Sequence, residues 1–181
     1  MNRPDSDQRG ERGFTLVEVL IATVVMVIGL LSVAYGLGLG VAVIQTSTQE
    51  TIARQKAREA MEDVFAARDD ARITFAQVCN IGTGPSCIFV NGLTSLTTPG
   101  PDGIVNTADD GAVETVTLPG PDGILGTADD VTASLVGYQR SIQVTQITSI
   151  LSKITVTITY TTPQGLQGPP VVLVALMSPY V

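Results

Sequence analysis

Hydrophobic and polar positions divide the chain into three patterns. The first is unbroken apolarity: from Val19 to Ile44, 26 consecutive residues carry no charge. As a helix this run would reach about 39 Å, at ~1.5 Å per residue. The hydrocarbon core of a bilayer needs only about 20 residues, and buried helices of soluble domains rarely hold so long an apolar run, so the segment predicts a membrane span. It exceeds the ~7–15-residue apolar core of a cleaved signal peptide, and no small-x-small cleavage site closely follows it. It is therefore expected to stay in the mature chain as an anchor.

The second pattern has helical period. Apolar residues recur at Ile52, Ala53, Ala57, Ala60, Met61, Val64 and Phe65, and Arg54, Lys56, Arg58, Glu59, Glu62 and Arg68 fill the other face. That is a single apolar stripe. No proline lies between Pro4 and Pro85, so one helix is expected from about Phe14 to about Arg72. Its transmembrane half would cover 14–44 and its amphipathic half 45–72, behind a polar, unstructured leader at 1–13.

The third pattern begins after residue 73, where Gly, Pro, Thr, Asn and Ser replace the helical period. Residues 73–132 read as a loop region and 133–181 as an antiparallel sheet. Three strands are expected, over Ser134–Thr148, Leu151–Thr162 and Pro170–Met177. The middle one alternates Ile154, Val156, Ile158 and Tyr160 with Thr155, Thr157, Thr159 and Thr161, the mark of a half-buried strand. Short turns between the strands favour a meander. The predicted fold class is α+β: a long N-terminal helix packed on a C-terminal antiparallel sheet.

Composition narrows the function. The chain has 181 residues, enough for one domain, with 44% apolar residues, 4% aromatic and no histidine. Lack of histidine excludes a histidine-based triad, a histidine general base and histidine-ligated zinc or haem. The net charge of −7 argues against a nucleic-acid partner, which needs clustered Lys and Arg. The acidity is local. Between Ile73 and Gln139 there is no Lys or Arg, while Asp102, Asp109, Asp110, Glu114, Asp122, Asp129 and Asp130 lie there. These seven acids equal the charge of the whole chain.

Most of them belong to a duplication. Pro99-Gly-Pro-Asp102-Gly-Ile-Val-Asn106-Thr-Ala-Asp109-Asp110 recurs 20 residues later as Pro119-Gly-Pro-Asp122-Gly-Ile-Leu-Gly126-Thr-Ala-Asp129-Asp130, differing only at Val105/Leu125 and Asn106/Gly126. Pro-Asp-Gly and Thr-x-Asp are turn and cap signals, which makes a solvated acidic loop one reading. A face for a protein partner is another. Calcium is a third, since hard cations take several carboxylate, amide and carbonyl oxygens; Asp102, Asn106, Asp109, Asp110, Asp122, Asp129 and Asp130 would be the ligands. The spacing is not that of an EF-hand. Cys79 and Cys87 bracket a Gly- and Pro-containing loop. In an exported domain a disulfide closing that loop is expected; in a cytosolic one, two free thiols.

Glu18 stands at the start of the span, with no Lys or Arg in the following 35 residues. A carboxylate in or near hydrocarbon is costly unless paired and marks a functional position. Its partner would have to be a new chain terminus or a group on another subunit. Gly13-Phe14-Thr15-Leu16-Val17-Glu18-Val19-Leu20 resembles the N-terminal signal of type IV pilins and type II secretion pseudopilins. The resemblance implies cleavage between Gly13 and Phe14 by a prepilin peptidase, N-methylation of Phe14, and a role for Glu18 as the acid that meets a neighbour's N-terminal amine during assembly. Ile28-Gly29-Leu30-Leu31, Tyr138-x-Arg140-x-Ile142 and Lys153-x-Thr155-Val156-Thr157-Ile158 resemble the PilV-like minor pilins. The family's major subunits often carry a proline in mid-span; here Gly36-Leu37-Gly38-Leu39-Gly40 is expected to be the weak point, extending or melting in a filament.

The implied protein is a structural subunit and not an enzyme. Its partners would be other pilin or pseudopilin subunits, the prepilin peptidase, an inner-membrane assembly platform and membrane lipid. It would cross the bacterial inner membrane once, hold its C-terminal domain in the periplasm, and reach the cell surface when assembled. A type II secretion pseudopilin and a membrane-anchored calcium-dependent binding module or adhesin are the alternatives.

Overall fold

The computed structural model describes residues 13–162 and 165–179; the expected leader falls at 1–12, outside the described residues, up to its last residue, Gly13. The elements are α1 (Leu16–Asp69), a short 3-10 turn (Phe75–Gln77), β1 (Thr94–Ser95), β2 (Thr115–Leu118), β3 (Val131–Ser134), β4 (Tyr138–Thr148), β5 (Leu151–Tyr160) and β6 (Val171–Met177). The chain forms two compact units, one up to Val43 and one from Ile44.

In the first unit α1 runs without interruption through Gly36–Gly40. This stretch of helix has the length and hydropathy of a membrane span, and none of its most apolar window is buried within the protein. The few hydroxyls turn back onto the helix: Thr23 donates to the Leu20 carbonyl at 2.8 Å and Ser32 to that of Ile28 at 2.8 Å. Polar groups satisfied this way are tolerated in lipid.

In the second unit α1 packs on the sheet through Ala53, Ala57, Ala60, Val64 and Ala67, all buried, with Ile52, Met61 and Phe65 partly buried beside them. The stripe is mostly alanine. Ile142, Ile154, Val156 and Ile158 cover it from the sheet side. Each such aliphatic side chain contributes roughly 1.5–3 kcal/mol when fully buried. Tyr138 and Tyr160 face each other across β4 and β5 with ring centroids 5.8 Å apart.

The main sheet is antiparallel in the order β1-β4-β5-β6, and β2 and β3 form a separate two-stranded ribbon. The three expected strands are present as a meander, with differences. The first breaks in two: Ser134 ends β3, and a turn closed by Tyr138 N–H donating to the Leu135 carbonyl at 2.9 Å precedes β4. Leu135 is buried in this turn, so an apolar residue that looked like strand fills the core from a loop. The stretch read as loop also supplies β1 and β2. These strands are only two and four residues long, and β1 pairs with the distant β4, so no local alternation announced them.

Asn80 extends the sheet without a strand. Its side-chain amide donates to the Ile142 carbonyl at 2.8 Å and accepts from Val144 N–H at 2.7 Å. One side chain thus pairs the edge of β4 beyond the point where β1 ends. Cys79, next to it, is joined to Cys87 by a disulfide with Cα atoms 4.7 Å apart.

Candidate functional site

The residues expected to be processed lie at the start of α1. Thr15 caps the helix: its hydroxyl accepts from Glu18 N–H at 3.2 Å, and its carbonyl accepts from Val19 N–H at 3.2 Å. Glu18 therefore occupies the third helical position, where a carboxylate is favoured by the helix dipole. Its side chain is exposed and has no ion-pair partner among the described residues. Gly13 and Phe14 precede the cap in exposed, non-helical backbone.

A buried charge cluster lies in the second unit, and sequence reasoning missed it. Arg140 is 1% exposed although it sits on a strand. Alternation with Tyr138 and Ile142 places it on the inward face, which is the signal that could have found it. Its Nη1 lies 3.2 Å from Glu114, its Nη2 donates to the Thr97 carbonyl at 3.0 Å, and Asp110 is 3.7 Å away. Lys56, from α1, reaches the other Glu114 oxygen at 2.8 Å and Glu59 at 2.7 Å. Burial pulls the Lys56 ammonium down, but the hydrogen bonds to Glu114 and Glu59 outweigh it and its pKa lies above the ordinary value. Burial, helped by Glu59, holds the nearby Asp63 carboxyl above its usual range.

The two acidic repeats are the same turn built twice, each closing an antiparallel pair. The first spans from Thr98 to Gly111, which exchange hydrogen bonds with each other's strands; the second joins β2 to β3. In each copy an Asp side chain accepts from the backbone two residues on, Asp102 from Ile104 and Asp122 from Ile124, both at 2.8 Å. Asp110 accepts from Asn106 N–H at 2.9 Å and Asp130 from Gly126 N–H at 2.7 Å. Thr107 donates to Asp109 and Thr127 to Asp129. Those hydroxyls, chiefly, hold both carboxyls below the usual carboxylate range. Gly100 and Gly120 are required because a Cβ at either would meet the backbone of Asp109 or Asp129.

The settings differ. In the first copy Ile104 and Val105 are 1% and 3% exposed, and Asn106 at φ 67° donates to the Val90 carbonyl at 3.1 Å and accepts from the Thr94 hydroxyl at 3.1 Å. Arg72 donates to the carbonyls of Asp102 and Gly103, each at 3.1 Å. In the second copy Ile124 and Leu125 are 60% and 61% exposed.

Against calcium, this donor set fits poorly. Each of Asp102, Asp109, Asp110, Asp122, Asp129 and Asp130 turns at least one carboxylate oxygen to the loop's own N–H and hydroxyl donors, the Asn106 amide is spent on Val90 and Thr94, and Arg140 already stands beside Asp110; Asp130 Oδ1 is left enclosed without a partner. Among the described residues no group of three or more acids, cysteines or histidines converges as a metal site. The geometry of both loops is that of the turn-and-cap reading.

Residues 8–34 match the family described as Prokaryotic N-terminal methylation motif. The matched stretch takes in Gly13, Phe14, Glu18 and the first part of the apolar helix. It supports a type IV pilin-like, processed subunit anchored by that helix. No curated protein and no solved structure matches the chain.

Proposed function

We propose that the chain is a minor pilin or pilin-like structural subunit. A prepilin peptidase cuts between Gly13 and Phe14 and methylates the new Phe14 amine. The apolar part of α1 holds the subunit in the inner membrane, with the sheet unit in the periplasm, and then forms the packing surface of a pilus-like filament. The observation that carries this reading is Glu18: a carboxylate with no ion-pair partner among the described residues, one turn into an apolar helix, within the matched methylation motif. The ammonium of a neighbouring Phe14 supplies the missing charge, and pairing removes the desolvation cost of both groups.

Intact-mass measurement of the chain from membranes tests the processing step. The expected species lacks residues 1–13 and carries one added methyl group. An uncut chain overturns the reading and favours a membrane-anchored binding module. Substituting Glu18→Ala is expected to leave cleavage intact and to remove the subunit from sheared filaments.

A further inference from the structure

The two acidic loops share one hydrogen-bond pattern, so the buried copy shows what chemistry recognises that surface. The first loop is held by an apolar floor under Ile104 and Val105, by Arg72 on the carbonyls of Asp102 and Gly103, and by Arg140 beside Asp110. The second loop offers the same surface to solvent. Ile124 and Leu125 are exposed, no cation stands by Asp122, Asp129 or Asp130 among the described residues, and Asp130 Oδ1 is enclosed without a hydrogen-bond partner.

A complementary surface lies elsewhere on the same unit. Among the described residues, Arg58 and Lys153 are the two cations with no carboxylate in ion-pair range. Arg58, on α1, lies against the start of β6, the free edge of the main sheet, and Lys153 lies beside the end of β6 on the sheet face turned away from α1. Arg58 lines a groove of about 350 Å³ with Glu50, Arg54, Pro169, Pro170 and Val172. Lys153 is paired in register with Leu176. Between them β6 turns Val172, Val174 and Leu176 outward, each more than half exposed. An uncharged, apolar edge strand bordered by unpaired cations is a surface that natural proteins usually cover.

We propose that the second acidic loop, residues 119–130, docks on the β6 edge of a second copy of this chain. Ile124 and Leu125 would lie on the Val172–Leu176 stripe, and the three aspartates would straddle the edge toward Arg58 and Lys153, the two cations without a carboxylate partner among the described residues. Knob and groove are different surfaces of one unit, so the contact is heterologous and propagates from copy to copy instead of closing a dimer. The inference rests on the reading of the chain as an assembling subunit and names the contact its exported unit makes.

The test uses full-length chains in one membrane, one tagged copy carrying Leu125→Cys and another carrying Val172→Cys, treated with a short thiol-to-thiol cross-linker. Cys79 and Cys87 are already joined, so only the introduced thiols react. The expected result is a mixed dimer several times stronger than the product of either variant alone, weakened by salt and lost when Arg58→Glu is added to the Val172→Cys copy. Arg58 makes no ion pair within the described residues, so an unchanged unfolding midpoint separates lost docking from lost folding. Absence of the mixed dimer, equal products from the single variants, or capture of Val172→Cys by a different protein overturns the proposal. The cross-link needs only two copies in one membrane. An uncut chain therefore defeats the pilin-like reading separately, and the cross-link still decides the docking.

Discussion

Lys56 and Glu114 are 2.8 Å apart, and this contact ties the amphipathic half of α1 to the loop residue immediately before β2. Glu114 also holds Arg140 at 3.2 Å, so one buried carboxylate joins helix, loop and central sheet. Removing one partner leaves the others buried with part of their compensation gone, though Lys56 keeps Glu59 and Arg140 keeps Asp110 and the Thr97 carbonyl; breaking a buried pair typically costs about 3–5 kcal/mol. Arg140→Met and Glu114→Gln are each expected to lower stability by an amount of that order, measured by urea unfolding of the detergent-solubilised chain. Substituting the exposed Arg54, paired only with Glu50 on its own helix, is expected to change it by less than about 1 kcal/mol.

Alkaline pH should weaken the same region. Burial pushes the Tyr138 hydroxyl up to about 12 from 10.0, and the Lys56 pKa is raised above 10.5. Above pH 10 the unfolded chain therefore binds fewer protons than the folded one at both groups, and stability falls as pH rises. The contribution is complete below the unfolded values and is lost as pH passes through the folded ones. An unfolding midpoint that declines above pH 10, with a shallower decline in Tyr138→Phe, is the expected outcome. Phenolate absorbance of the folded chain should show two tyrosines titrating late, because burial also raises the Tyr160 hydroxyl above its ordinary value.

Calcium addition is expected to leave the unfolding midpoint where it was, because the aspartates of both loops already serve as acceptors for the loops' own donors. A rise in midpoint that disappears in an Asp109→Ala/Asp129→Ala chain would show that a cation displaces those donors.

What sequence made legible follows from which interactions are local. The span and the amphipathic stripe depend on period alone, and α1 ends at Asp69, three residues from the expected Arg72. The alternation of Ile154, Val156 and Ile158 likewise marks β5. β1 is two residues long and depends on a partner far along the chain, β2 is only four residues long, and the cluster of Lys56, Glu114 and Arg140 is assembled from three separate segments, so none leaves a clear local pattern. The acidic repeat shows the opposite limit. Its duplication is plain in the sequence, but that one copy is buried and the other exposed is decided by tertiary packing, since ten of the twelve residues are the same.

That difference yields the most direct comparison available in this chain. Ile104 and Ile124 are the same residue at the same point of the same turn, each following an aspartate that accepts its N–H at 2.8 Å. Ile104 is 1% exposed and Ile124 is 60% exposed. Local sequence and turn geometry being shared, any difference between Ile104→Ala and Ile124→Ala measures packing alone. Ile104→Ala removes buried methylene and methyl groups and is expected to cost about 2–5 kcal/mol. Ile124→Ala is expected to stay within about 0.5 kcal/mol in a single copy, and to reduce the Leu125–Val172 cross-link between copies. Equal losses of stability in the two variants would mean that the second loop is buried within its own chain.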